Sequence, residues 1–304
     1  MGKTASVTLQ SAEGLPGTYV WLGVGLLVFV LSMLAFAYLA TIRSKRVAAW
    51  IRHPVLGRMD AMLSAHAPRF WRFVRARFTI GEWHGLALTI GILAFALGAY
   101  VFALIVESWT DQAALYLLDQ RVSSWLHAHM GPGMTALMVT VTRFGDSEVV
   151  TALSATVGLA LLYRRYAWHV LTLMLAPGLG SAAVVGFKTL FARTRPTVEA
   201  AAELGHSFPS GHAFAAITFY GLMVYLVWRH VRSDWIRIPL TILFVVIVVL
   251  VALSRIMLRV HWVSDVIGGL TLGLAWLICS IVLTHALKSV FGRTARAHRL
   301  APDA

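Results

Sequence analysis

Three short stretches of the sequence carry residue types that suit chemistry on a phosphate group. The first, "KTLFARTRP", sets Lys188 seven residues before Arg195, with Pro196 next. Seven residues are close to two helical turns, so both cations can project from one helix face. Pro196 disfavours helix at the residue before it. The second, "FPSGHAFAAITFYG", runs from Phe208 to Gly221. Pro209, Ser210 and Gly211 mark a turn and an apolar run follows, which places His212 in the first turn of a helix. Backbone N–H groups there, with the positive end of the helix dipole, bind phosphate. The third is "SRIMLRVHWVSD". Ser254 and Arg255 close one apolar run, and His261 and Asp265 open the next, four residues apart. That spacing puts them on one helical face, where a carboxylate can fix the tautomer of a histidine and stabilise its charged form.

Taken singly, each residue has an ordinary explanation. A Lys or Arg near the end of a membrane span snorkels to the headgroups, and an interfacial His is solvated or structural. Together they make three fixed cations, two histidines, one carboxylate and a helix N-terminus, a set that binds phosphate and can transfer it. Glu199 and Glu203 are the only further acids in the adjoining loop. No constellation of carboxylates is available for Mg²⁺, so no metal and no cofactor is expected, and the cations take the metal's part.

The elements that must position these groups are membrane spans. Of the 304 residues, 59% are hydrophobic and 13% charged, against about 25% charged in soluble domains. Seven apolar blocks, roughly 18–41, 84–106, 147–163, 168–191, 213–228, 238–256 and 262–286, approach or reach the length that crosses a bilayer. The expected fold is all-α, a polytopic membrane helix bundle. Only Lys3 precedes the first block, while Arg43, Lys45 and Arg46 follow it, a pattern of a retained anchor rather than a cleaved signal. The single cysteine, Cys279, lies in an apolar run and reads as packing. Gly81/Gly85 and Gly269/Gly273 read as helix-packing positions without functional weight.

Charge sets the orientation. With seven spans and the C-terminus inside, the inner segments (42–83, 164–167, 229–237 and the tail from 287) hold 18 of the 26 Lys and Arg and 4 of the 13 acids. The remaining 8 bases and 9 acids fall outside, a strong positive-inside asymmetry. The net charge of +13 is therefore topogenic, and no nucleic-acid partner is expected. Ala67 to Phe78 alternates arginines with Phe and Trp, as an interfacial helix on the cytoplasmic leaflet does, or a plain topogenic loop. Lys188, Arg195 and Arg255 break the asymmetry by sitting outside near span ends. Ionisable groups at that depth are functional candidates.

The three stretches resemble the motifs of the type 2 phosphatidate phosphatase superfamily, which also contains the vanadium haloperoxidases and bacterial acid phosphatases. That family's pattern is K-x6-RP, then PSGH, then SR-x5-H-x3-D. Here it is matched by Lys188 with Arg195-Pro196, by Pro209-Ser210-Gly211-His212, and by Ser254-Arg255 with His261 and Asp265. The resemblance implies a six-span phosphatase core over 84–286, with an N-terminal anchor and basic linker (1–83) and a basic cytoplasmic tail (287–304). It implies that His261 is the nucleophile that forms a phosphohistidine, with Asp265 orienting it. His212 is similar to the general acid that protonates the leaving oxygen and then activates water. Lys188, Arg195 and Arg255 would hold the non-bridging oxygens, assisted by Ser210 and the N–H of Gly211.

The partners so implied are a lipid bilayer and a membrane lipid phosphate. An outward-facing site in a bacterial inner membrane points to undecaprenyl diphosphate, with phosphatidylglycerophosphate, phosphatidate and lipid A phosphates as alternatives. A phosphotransferase with the same motifs is a further alternative. The rival of another class is a non-enzymatic lipid carrier or scaffold. Carriers typically show broken helices near the midplane or internal repeats, and the sequence shows neither.

Overall fold

The computed structural model describes residues 86–110, 114–197 and 205–300, with four more positions between 62 and 68. The first apolar block, nearly all of the Arg-rich stretch 67–78, Glu199 and Glu203 lie outside the described residues. Among the described residues there are helices and no strand. In chain order the helices are α1 (Leu86–Thr110), α2 (Ala114–His129), α3 (Pro132–Thr142), α4 (Ser147–Tyr163), α5 (Ala167–Leu173), α6 (Gly180–Phe191), α7 (Gly211–His230), α8 (Asp234–Met257) and α9 (Val263–Leu300). A 3₁₀ turn, Arg143–Gly145, joins α3 to α4. A π-helical stretch, Met174–Leu179, joins α5 to α6 around Pro177. Proline has no N–H to give to the ladder, and a local π segment absorbs that loss without ending the span.

Five helical segments are long and apolar enough to cross a membrane: Gly91–Trp109, Ala167–Phe191, Gly211–His230, Asp234–Met257 and Val263–Ser289. A sixth arises if Pro132–Gly145 and Ser147–Tyr163, bent by 42° from one another, count as one span. The core expectation of six spans therefore depends on how this bent pair is read. Between the blocks 84–106 and 147–163, where the sequence reading assigns no element, lie two helices, α2 and α3.

The bundle is built around α7. Its Ala213, Phe214, Ala216, Phe219, Tyr220 and Leu222 are all buried, and it packs against α8 on one side and α9 on another, while α9 also lies along α1. The outer helices do the reverse: α8 exposes Ile242, Leu243, Val245, Val246 and Val249 on one flank. So long an apolar face is stable only in lipid. Because lipid is as apolar as leucine, helix association in a bilayer rests on close packing rather than on a hydrophobic drive. Small residues are what permit it. A Cβ on Gly273 would lie 2.5 Å from Ile217 Cγ2 and 3.1 Å from the Phe214 carbonyl oxygen, so α9 can approach α7 only with glycine there.

Candidate active site

One end of the bundle gathers the C-terminal ends of α1, α6 and α8 and the N-terminal ends of α4, α7 and α9. The end of α6 is set locally. Ala192 adopts a left-handed conformation (φ 46°), and its N–H donates to the Lys188 carbonyl, which stops the helix at Phe191. Lys188 therefore sits on the last turn of α6, while Arg195 lies in the extended segment beyond. The two do not share a helix face, contrary to the spacing argument. They converge through the next loop: Lys188 Nζ donates to the His206 carbonyl at 2.9 Å, and Arg195 Nη2 donates to the same oxygen at 3.1 Å. Arg195 also donates to the carbonyls of Gly205 (2.9 Å) and Val260 (2.6 Å).

Gly211 opens α7, and Ser210 precedes it in extended geometry (φ −68°, ψ 114°). The first N–H groups of a helix have no partner inside it. A Cβ on Gly211 would stand 4.0 Å from Lys188 Cε, so the α7 N-terminus and this lysine are neighbours. Ser210 Oγ is fully buried and has no hydrogen-bond partner. A buried hydroxyl left unpaired costs about 1–3 kcal/mol, and a phosphate oxygen in the cleft would satisfy it.

His261 lies in the turn ahead of α9 rather than inside the helix, and its N–H donates to the Arg255 carbonyl at 3.3 Å. Its Nδ1 faces Asp265 Oδ2 at 3.4 Å. With a carboxylate on that side, Nδ1 carries the proton. Nε2 then keeps its lone pair and accepts from Arg195 Nη1 at 3.2 Å. Burial, and then the charges of Arg195, Arg255, Lys188 and His212, hold His261 well below the ordinary histidine range, so its neutral form prevails at working pH. Arg195 meets His261, shares the His206 carbonyl with Lys188, and the Arg255 carbonyl accepts the His261 N–H, so the three cationic residues converge on this histidine. Arg255, buried near the end of α8, donates Nη1 to Thr142 Oγ1 at 2.8 Å, and its Nε has no partner.

The structure brings together all eight residues singled out in the sequence: Lys188, Arg195, Ser210, Gly211, His212, Arg255, His261 and Asp265. It corrects the expectation of a single carboxylate. Asp146, which precedes α4, accepts from His212 Nε2 at 2.7 Å. It stands at the start of an apolar block with Glu148 two residues on, and the reasoning applied to Asp265 extends to it. Arg193 and Asp119 are also present, buried beside Asp265. Arg193 stands two residues before Arg195 and was an available signal. Asp119 gave none, since α2 had no recognised place in the bundle. Among the described residues no group of three His, Cys, Asp or Glu side chains is placed to hold a metal ion.

Residues 165–289, which contain all eight positions, match the PAP2 superfamily. The chain carries a PAP2 superfamily domain. It is 29% identical over 177 residues to phosphatidylglycerophosphatase B of Bacillus subtilis (strain 168), spanning 58% of this chain and 87% of that protein. It is 27% identical over 167 residues to the Escherichia coli (strain K12) protein named "Putative undecaprenyl-diphosphatase YbjG", spanning 51% and 78%. The crystal structure of a transmembrane PAP2 type phosphatidylglycerolphosphate phosphatase from Bacillus subtilis aligns with a TM-score of 0.54 at 26% identity, covering 64% of this chain and 96% of that one. Its PAP2 homologues indicate a phosphatase, and its fold matches that of a transmembrane PAP2 structure.

Within the PAP2 domain, Gly269 does more than pack helices. A Cβ there would lie 2.5 Å from the Ser210 carbonyl oxygen and 3.2 Å from Ala213 Cβ. The neighbour is backbone and cannot swing aside, so Gly269→Ala must push the PSGH turn outward. Overpacking costs about 1–3 kcal/mol, and a displacement near 1 Å at a reacting group costs about 10²-fold in rate. Gly269→Ala is therefore expected to lose activity well beyond its loss of thermal stability in detergent. Gly186→Ala on α6, where a Cβ would meet nothing within 4 Å, serves as the control and should retain both.

Proposed function

We propose that this PAP2 phosphatase hydrolyses a lipid phosphate or diphosphate at the outer face of a bacterial inner membrane through a phosphohistidine on His261. The single observation that carries this reading is the arrangement around His261. Its Nε2 accepts from Arg195, the charges of Arg255 and Lys188 act on the same ring, and Asp265 faces the opposite nitrogen. In phosphoryl transfer, positioning and charge stabilisation supply most of the catalysis. Lys188, Arg195 and Arg255 take the non-bridging oxygens, with Ser210 Oγ and the Gly211 N–H. His261 Nε2 attacks phosphorus and the lipid oxygen leaves. His212, holding one N–H on Asp146, delivers its other proton to that oxygen. It then withdraws a proton from the water that cleaves the phosphohistidine, which releases inorganic phosphate and restores the enzyme.

The similarity to phosphatidylglycerophosphatase B and to the aligned crystal structure supports phosphatidylglycerophosphate as substrate. The similarity to the Escherichia coli protein, together with an outward-facing site, supports undecaprenyl diphosphate. Both present a terminal phosphate to the same cations. In a panel of phosphatidylglycerophosphate, undecaprenyl diphosphate, phosphatidate and lipid A phosphate, assayed in detergent, phosphate release from one of the first two is expected to dominate. Activity should persist in EDTA and be inhibited by vanadate, which adopts a five-coordinate geometry on a histidine nitrogen. Loss in chelator with recovery in Mg²⁺ would show that a metal, not the three cations, balances the charge. Absence of phosphate release from every lipid would favour a non-catalytic lipid carrier.

The positive-inside asymmetry supports residues 84–286 as the phosphatase core with its site outside, 1–83 as an anchor and basic linker, and 287–304 as a cytoplasmic tail. Single cysteines placed at His206 and at Val290, in a Cys279→Ser background, should react with a membrane-impermeant reagent in intact cells at 206 only. Reaction at 290 instead reverses the orientation.

A further inference from the structure

Beside the phosphate cleft Asp265 joins a buried ionic group whose other members, Arg193 and Asp119, the phosphoryl-transfer scheme leaves unused. Arg193 is 7% exposed, Asp119 1% and Asp265 0%. Arg193 Nη2 donates to Asp119 Oδ2 at 2.8 Å, and Nη1 donates to Asp265 Oδ1 at 2.6 Å and to Ser264 Oγ at 2.7 Å. The guanidinium lies over the Trp109 ring, 4.5 Å from its centroid, and 5.7 Å from that of Trp262. Asp119 Oδ1 accepts the Ser264 N–H at 2.9 Å, and its Oδ2 also accepts from Ser264 Oγ. Asp119 thus caps the first turn of α9 from a different helix, a task usually left to the residue just before a helix. Burial pushes the Asp119 carboxyl up, and the bonds from Ser264 and the charge of Arg193 oppose that rise.

The geometry divides the two oxygens of Asp265 between two tasks. Oδ1 is held by Arg193. Oδ2 accepts the Trp262 N–H at 2.9 Å and faces His261 Nδ1. A carboxylate free to rotate would exchange these oxygens; Arg193 Nη1 on Oδ1, fixed by its other prong on Asp119, and the Trp262 N–H on Oδ2 oppose that. Arginine suits this because its planar fork fixes geometry where a lysine supplies only a point charge. The isolated charge of a buried Asp265 would also be costly without a partner.

We propose that Arg193, anchored by Asp119 and clamped by Trp109 and Trp262, is a positioning residue that sets the Asp265 carboxylate and through it the imidazole of His261. Neither Arg193 nor Asp119 is given a part in holding the phosphate. The proposal rests on the reading of His261 as the nucleophile and adds a link from α2 and α1 to that nucleophile.

The test uses the full chain in detergent, with Arg193→Lys and the near-isosteric Asp119→Asn, each alone and combined with Asp265→Asn. Turnover of the preferred lipid phosphate, the rapid-quench rate of phosphohistidine formation and the thermal midpoint are measured together. Arg193→Lys is expected to slow phosphohistidine formation and kcat by about 10²-fold, with KM changed less than about threefold. Asp119→Asn should do the same to a smaller degree. In the Asp265→Asn background either change should cost less than about threefold further, because groups acting through one carboxylate are not additive. A double variant whose losses multiply overturns the proposal, as does Arg193→Lys with wild-type kcat. A fall in kcat that only tracks thermal unfolding, and vanishes at lower temperature, overturns it as well. If the wild type itself traps no phosphohistidine, the reading of His261 fails and the positioning role falls with it. If the wild type traps it and Arg193→Lys does so equally fast, the positioning role alone fails.

Discussion

His261→Ala is expected to eliminate phosphoenzyme formation with every substrate and to reduce turnover by on the order of 10⁴–10⁶-fold, the scale seen when a nucleophile is removed from a catalytic unit. The expectation follows from three features of the site. Nε2 meets Arg195 at 3.2 Å, and the charges of Arg255 and Lys188 also act on the ring, which suits a phosphate held there. Nδ1 is engaged by Asp265, so a positive phosphoimidazole would find its counter-charge in place. Burial and the surrounding cations also hold His261 well below the ordinary histidine range. The sign of that last effect matters. A lowered value keeps the imidazole neutral and nucleophilic as pH falls through about 6.5, the unperturbed histidine value. Phosphohistidine formation in single turnover should therefore not titrate away at that pH. An acid quench destroys phosphohistidine, so trapping requires an alkaline quench. A wild-type enzyme whose phosphorylation rate falls tenfold per pH unit below 6.5 would contradict the electrostatic picture of this pocket.

The second large effect is expected at His212, and it should differ in kind. His212→Ala removes a proton donor, worth typically about 10²–10⁴-fold. The loss should shrink toward nothing with an aryl phosphate, whose leaving oxygen needs little protonation. It should be largest with an alkyl phosphate lipid, and a diphosphate lipid, which expels a phosphate, should fall between. Asp146→Asn should follow the same ranking at reduced size, because it loses the 2.7 Å charged partner of His212 while keeping the residue. Measuring kcat/KM for the three leaving-group classes in both variants decides the matter. A loss that is uniform across leaving groups would assign His212 to binding. Trapped phosphate in His261→Ala, with none in His212→Ala, would exchange the two roles.

Much of this protein was legible before any coordinates. Apolar block length and the shortage of charge determined a membrane helix bundle, because a bilayer demands helices of a certain length whatever packs against them. The block 147–163 coincides with α4, and 168–191 lies within Ala167–Phe191. Spacing also brought Lys188, Arg195, His212, Arg255, His261 and Asp265 to one end of the bundle, since alternating spans return every outer end to the same side. Local motifs carry such information because their geometry is set within a turn or two of chain.

What only the tertiary structure decided is how these groups are held. The spacing allowed Lys188 and Arg195 a common helix face, but a left-handed Ala192 ends α6 early, and the loop carbonyl of His206 joins them instead. Glycines read as plain packing proved to set the distance between α9 and the Ser210 turn. The partners of His212 and of Asp265 come from far along the chain: Asp146 for His212, and Arg193 with Asp119 for Asp265. Asp119 and Arg193 are 74 residues apart, a separation at which no periodicity or motif connects two residues. Their pairing exists because a charge buried in the bundle requires an opposite charge beside it, and only the packing of α2 against the start of α9 determines which one that is.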